Sequence, residues 1–342
     1  MTREQVLAEV ERQLVGDERP GMISLGAFGG YVIFSFDHPV VNVPGQYDLK
    51  IYGNSFKNGV SQNNGCSSEP GIVMVSVDAN GNGLPDDEWY ELRGSESDNP
   101  ETIRNFTITY RRPSQTETAE AISWTSDCES YPDGVVAINQ FHQQSYWPSW
   151  AAKDETLTFT GTRLPNNAHN DGSASAEYWV LDSFEWGYAD NLPDFVNDPE
   201  TGSFMPNPEN PGFDISNAVD ANGVSVTLGH VDFIKVYSAM NQMCGWIGET
   251  STEVEGARDL HPDAVESGLA ETIDDSRATV RLSGTDLMVS VENTSVVEIY
   301  DASGRQAARY VVATGHNTLS LASLNSGIYI VRIGDTVSRI AL

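Results

Sequence analysis

From Gly21 to about residue 260 the chain is a succession of short β-branched and aromatic runs closed by Gly, Pro, Asn or Asp. "GGYVIFSFDHPVV", "YDLKIYG", "GIVMVSVDANGNG", "NFTITYRRP" and "TLTFTGTRLP" follow one another with no helical pattern between them. Strands this short and regular restrict the span 21–260 to an all-β sandwich or jelly roll. "EYWVLDSFEWGYADN" reads as a long aromatic strand with a polar end, and "VSVTLGHVDFIKVYSAM" as two strands around a Gly-His corner.

The ends of the chain differ from this span. In "MTREQVLAEVERQLV", Val6, Val10 and Leu14 fall at helical spacing and Thr2 with Gln5 fits a capping box. That segment has no apolar centre, so it is not a signal peptide, and residues 1–20 are an N-terminal helix or a remnant left by trimming. Residues 261–277, acidic with Pro, Ser and Gly, read as a linker, a short helix at its middle being the alternative. Residues 278–342 then hold six or seven short strands, enough for a small Ig-like sandwich. The charge also breaks there. The chain carries 19 Lys+Arg against 49 Asp+Glu, net −30, whereas Arg and acidic residues balance after residue 277. A surface this negative repels phosphate and anionic lipid, which argues against nucleic acid as a partner. No apolar run is long enough for a transmembrane helix. Cys66, Cys128 and Cys244 show no CxxC spacing, so a zinc or redox cluster is not expected.

The tail carries recognisable motifs. "YDASGR" at Tyr300–Arg305, "LSLASLNSGIYIVRI" at Leu319–Ile333 with its Gly327, Ile328 and Tyr329, and a final strand at the C-terminus resemble the type A C-terminal sorting domain of the type IX secretion system of Bacteroidetes. The closing "SRIAL" departs from the more lysine-rich strand usual there. The resemblance implies handling by the type IX machinery, export through the outer membrane, removal of this domain and of an N-terminal signal, and an end point on the cell surface or outside the cell. In "YDASGR", Asp, Ser and Gly are turn residues between two expected strands, and a glycine such as Gly304 can take a positive φ. The main domain, through "YDLKIYGNSF", "SEPGIVMVSVDANGNGLPDDEWYELRGSE" and "VDFIKVYSAMNQMCGWIGETSTEV", resembles a family of Bacteroidetes cell-surface proteins. That implies a jelly-roll-like fold and a surface location, with a link to outer-membrane nutrient uptake, corrinoids included.

"VDANGNGLPDDEW", residues 77–89, is either a calcium loop or an acidic hairpin. Calcium takes six to eight oxygens in flexible geometry, and an EF-hand-like loop spaces its ligands at positions 1, 3, 5, 7, 9 and 12. Asp78, Asn80, Asn82, Leu84 (through its carbonyl) and Asp86 fill the first five. Trp89 stands at the twelfth, so Asp87 or Glu88 must serve after a shift; Glu88 completes the expected ligand set. Against this, "NGNG" offers a tight hairpin turn twice. A second "VDANG" at Val219–Gly223 turns apolar afterwards and reads as a turn only.

For a ligand platform, "SYWPSW" offers Trp147 and Trp150 and "EWGYADN" offers Trp186, Tyr188, Asp190 and Asn191. Exposed rings stack on sugars or flat cofactors while Asp and Asn set orientation, although the same rings can equally fill a core. Acid pairs such as Asp86/Glu88 and Glu185/Asp190 meet the composition of a glycoside hydrolase. No HExxH, GxSxG or phosphate-loop motif occurs, and no catalytic residue is assigned. The six histidines are scattered, with His142 and His169 nearest the aromatic segments. The expectation is a calcium-stabilised, non-catalytic surface protein capturing a glycan or small nutrient. A glycan-active hydrolase and a structural or adhesive protein are the alternatives.

Overall fold

Alternation along the strand Ile103–Arg111 turns Phe106, Ile108 and Tyr110 to one face, all three almost fully buried. On the other face Thr107 meets Thr160 at 3.0 Å and Thr109 meets Thr158 at 2.8 Å across the neighbouring strand Thr156–Arg163. Such pairs fix register, because a one-residue slip would turn the apolar set to solvent. These strands belong to an antiparallel sheet in the order Asp133–Val136, Ile122–Ser126, Ile103–Arg111, Thr156–Arg163. A second antiparallel sheet runs Ala218–Val219, Trp89–Leu92, Gly71–Ser76, Phe233–Ser238, Tyr31–Phe34. Ile72 and Tyr237 of the second sheet share one apolar cluster with Phe106, Ile108, Tyr110, Ile122, Trp124 and Val136 of the first, so the two sheets form a sandwich. Thr162 fastens them: its N–H donates to Tyr237 Oη at 2.8 Å and its hydroxyl to Glu91 at 2.5 Å.

The computed structural model describes residues 2–16, 21–57, 66–173, 175–264, 278–283, 285–291, 293–301, 305–322, 324–325, 327–334 and 336–341. The chain is all-β apart from the N-terminal helix and short 3-10 turns among these residues. It divides into two compact units, residues 1–226 with 230–264 and residues 227–229 with 265–342. The helix spans Arg3–Leu14 and begins with the capping box expected of Thr2 and Gln5, both reciprocal bonds being present. All of the expected linker after its first four residues, 265–277, and Ala302, Ser303 and Gly304 of the "YDASGR" turn lie outside the described residues.

Two expected strands are shorter than the sequence suggests. Of "EYWVLDSFEWGYADN" only Trp179–Leu181 is strand. Beyond it the backbone turns at Gly187, φ +90°, where an added Cβ would sit 2.4 Å from Gly94 Cα, and again at Asp190, φ +51°. Around the Gly-His corner, strand is confined to His230–Val231 and Phe233–Ser238. The second "VDANG" is a turn as read: Asp220 Oδ1 accepts the N–H groups of Asn222 and Val224.

The C-terminal unit pairs a sheet ordered Ala278–Ser283, Asp286–Val291, Gly315–Ser320 with one ordered Gln306–Val312, Ser295–Asp301, Ile328–Ile333, Thr336–Ala341. All pairings are antiparallel, and this three-plus-four sandwich is Ig-like. Leu287, Val289, Val297, Ile299, Tyr329 and Val331 fill its core. The sequence motif Gly327-Ile328-Tyr329 acquires a role here. Tyr329 is buried at the start of its strand and its hydroxyl donates to the Asn325 carbonyl at 2.8 Å, pinning the loop before the strand as a tyrosine corner does. Tyr329→Phe is expected to destabilise this unit by about 1 kcal/mol, the net worth of one such bond. Urea unfolding of the parent and variant chains, followed by exchange of the 328–333 amides, checks this, and identical protection would refute it.

Candidate metal loop and ligand groove

Residues 77–88 connect the antiparallel strands Gly71–Ser76 and Trp89–Leu92, whose register sets Ser76 opposite Trp89. The Asn-Gly pairs do not make a two-residue turn between these strands. Instead Gly81 and Gly83, at φ +71° and +73°, coil a longer loop. Asp78 organises the coil, its two carboxylate oxygens accepting Asn82 N–H at 3.0 Å and Gly83 N–H at 2.8 Å. The Asn80 amide nitrogen donates to Asp86 at 3.3 Å and Asp87 at 3.1 Å, and that of Asn82 to both Asp86 oxygens at 3.2 Å. Four of the sequence-chosen ligands, Asp78, Asn80, Asn82 and Asp86, therefore gather in one coil. Glu88 does not join them, because its carboxylate accepts the Tyr90 hydroxyl at 3.0 Å. Asp87, adjacent in sequence, turns inward instead. Leu84 donates its N–H to Asn82 Oδ1 at 2.8 Å and leaves its side chain exposed.

The six expected ligand contacts do not form one platform. Trp147 lies in the core with its indole N–H on the Ala151 carbonyl at 2.8 Å, because the Pro148 turn folds its ring inward. Trp150, on the same turn, is exposed and apart. Asp190 is buried and spends its oxygens on backbone. Trp186, 42% exposed, lines a pocket together with the buried Tyr188 and Asn191 and with Tyr47, Arg93, Glu209, Asn210 and Asp214. Asn191 shapes this groove by accepting the Phe184 N–H at 2.7 Å and donating to the Phe184 carbonyl at 2.8 Å, which closes the 184–191 loop. Tyr188 accepts the Glu96 N–H at 2.9 Å, and burial pushes its hydroxyl above the usual tyrosine range. Tyr47 is a groove residue that the sequence does not signal. It lies far from the aromatic segments in the chain, and nothing in its own run distinguishes it from a strand residue.

The acid pair Glu185/Asp190 does not face a cleft: Glu185 is exposed and Asp190 enclosed. Asp190 Oδ1 accepts the N–H groups of Asn54 and Ser55, both at 2.9 Å, and Oδ2 that of Glu253 at 2.9 Å. Glu69 binds the same neighbourhood through Ser251 N–H at 3.0 Å and through its own N–H on the Asp190 carbonyl at 3.0 Å. The carboxylates of Glu69, Asp190 and Glu253 bring oxygens within 4.8 Å of one another. Burial, reinforced by the neighbouring carboxylate charges, pushes Glu69 up to about 9; burial first, then Glu253, pushes Asp190 up to about 8. Glu69 and Glu253 give no sign of this role in the sequence, since they are two among many acids.

The histidines follow the bland reading. His38 bonds Asp37 at 2.6 Å and Asp259 at 2.9 Å, His142 bonds Glu249 at 2.5 Å, and His169 bonds Asp182 at 2.7 Å. Cys128 and Cys244 are free thiols.

Residues 283–341 match the secretion system C-terminal sorting domain family. The C-terminal unit is thus a type IX sorting domain, and the chain is exported to the cell surface or the extracellular space. No curated protein matches the chain. Among solved structures it is similar to a β-glucuronidase from Ruminococcus gnavus in complex with uronic isofagomine, at 11% identity and a TM-score of 0.20, over 96% of this chain and 46% of that one. The same enzyme in complex with uronic deoxynojirimycin gives 11% identity and a TM-score of 0.18 over the same shares. The chain spans less than half the length of these enzymes. No helix among the described residues is long and apolar enough to cross a membrane.

Proposed function

We propose that the exported chain is a non-catalytic binding protein that captures a glycan in the groove lined by Trp186, with its 77–88 loop held by calcium. The observation that carries the binding reading is an exposed indole in a pocket that Arg93, Glu209, Asn210 and Asp214 also line. A sugar presents one apolar C–H face and a ring of hydroxyls. The indole takes the first, and amides, carboxylates and a guanidinium take the second with defined directions. Arg93 is held in place by Asp98 at 2.5 Å and Glu209 by Lys57 at 3.2 Å, so both groups are partly fixed before a ligand arrives. For the loop, the support is the convergence of Asp78, Asn80, Asn82, Asp86 and Asp87. Two amide N–H₂ groups face the acids; a cation would take over that neutralisation, and rotated amides would present their oxygens to it.

An oligosaccharide array carrying plant, host and bacterial glycans tests the groove, followed by calorimetry on the best ligand. Trp186→Ala is expected to weaken that ligand about tenfold or more, roughly 1.4 kcal/mol, with Tyr47→Ala having a smaller effect. An array without a binder, or a Trp186→Ala chain that binds as the parent does, overturns the proposal.

A further inference from the structure

The carboxylates of Glu69, Asp190 and Glu253 come from three distant parts of the chain and meet inside the large unit. Their surroundings make this an unusual place for charge. Asp190 and Glu253 are 4% and 6% exposed. Burying one ionised carboxylate is costly unless it is paired, and the strongest charges acting on Glu69 are those of the other two acids. Asp190 and Glu69 relieve part of this cost through backbone N–H groups. Glu253 is relieved only in part: burial is the largest influence on it, the Ser24 and Ser251 side chains favour its charged form, and its Oε2 is fully enclosed with no hydrogen-bond partner. A buried acceptor left open, beside two other carboxylates, marks a place where a positive partner belongs.

From this geometry we infer a second, buried cation site in which Glu69, Asp190 and Glu253 bind one calcium ion. The three oxygens fall within 4.8 Å of one another, so a shift of a few tenths of an ångström in the side chains brings all three to the roughly 2.3–2.6 Å that calcium takes. The donor set is entirely oxygen and anionic, which selects a hard divalent cation over zinc or copper. Calcium suits it better than magnesium, which demands near-ideal octahedral geometry at shorter distances. Bound there, the ion joins the segment at Asn54 and Ser55, the start of the Gly71–Ser76 strand, the 184–191 loop and the strand Glu253–Val254. It thereby braces the back of the loop that presents Trp186. The site is independent of the 77–88 loop, and either can exist without the other.

Elemental analysis of the full chain after dialysis against calcium chloride, then buffer, tests it with four proteins: the parent, Asp78→Ala, Glu253→Gln and the double variant. Asp78→Ala disables only the loop. Glu253→Gln exchanges one carboxylate oxygen for an amide N–H₂ with little change of shape, and the lost negative charge weakens calcium enough for the buffer step to remove it. The expected result is one calcium per Asp78→Ala chain and none in the double variant. In EDTA, Glu253→Gln is expected to unfold at or above the parent's midpoint, which shows that the fold is intact. An Asp78→Ala chain without calcium overturns the inference, as does a double variant that retains it. The buffer step empties a loop of roughly 10⁻⁴–10⁻³ M affinity, so this count reads the buried site alone and a failure of the loop proposal does not alter it.

Discussion

Replacing Asp190 by alanine is expected to lower the unfolding free energy of the large unit by roughly 4–6 kcal/mol. Three backbone N–H groups end on this carboxylate, from Asn54, Ser55 and Glu253. Each would be left buried and unpaired at about 1–3 kcal/mol. Asp190 also sits at φ +51°, where aspartate is tolerated and alanine costs about 1 kcal/mol more. Relief of repulsion from Glu69 and Glu253 offsets part of this but not the lost acceptors. Asp190→Asn keeps the left-handed preference and one acceptor oxygen, so its cost should be about half as large. The readout is clean because all seven tryptophans precede residue 247. Urea unfolding followed by indole fluorescence therefore reports the large unit without the sorting domain. A loss below about 1 kcal/mol for Asp190→Ala would show that water can satisfy these groups and that Asp190 does not clasp the three segments together.

Asp190 also shows what the sequence could and could not reveal. Its place in "EWGYADN", after aromatics and before a loop, marks it as a functional contact. What it does is accept backbone N–H groups from residues 54, 55 and 253, partners that only the folded chain brings near. The all-β class was legible because period-two runs and turn residues are local signals. So were the N-terminal capping box and the sorting tail. The long aromatic strand failed because β-branched and aromatic content does not encode where the backbone must turn. Gly187 makes that turn, packed against Gly94 in the segment that follows the strand Trp89–Leu92. Trp147 and Trp186 look alike as letters. One falls into the core through a proline turn, and the other stays exposed in a pocket that residues 47, 93, 209, 210 and 214 also line. The gathering of Asp78, Asn80, Asn82 and Asp86 was legible because these residues are neighbours in the chain. Only the choice of Asp87 over Glu88 depended on Tyr90.

Calcium at about 10 mM is expected to raise the large unit's thermal midpoint, and Asp78→Ala is expected to remove the loop's share of that rise. Extracellular calcium modules bind in the range of about 10⁻⁴–10⁻³ M. At 10 mM the ion then exceeds its dissociation constant about 10- to 100-fold and stabilises the native state by roughly 1.4–2.7 kcal/mol. For a unit of this size that corresponds to roughly 3–10 °C. Each chain should be measured in EDTA as well, because Asp78→Ala also deletes two acceptors for Asn82 and Gly83. The difference between calcium and EDTA isolates the ion from that loss. Terbium supplies a local check. Trp89 directly follows the loop, so indole excitation should light a terbium ion bound there, and Asp78→Ala should darken it. A calcium shift of equal size in parent and variant, with terbium emission unchanged, would make residues 77–88 an acidic hairpin connection held by its own amides. The net charge of −30 points the same way as the expected result. An exported protein meets abundant calcium, and ions bound to its acidic loops weaken the self-repulsion that such a charge imposes on the fold.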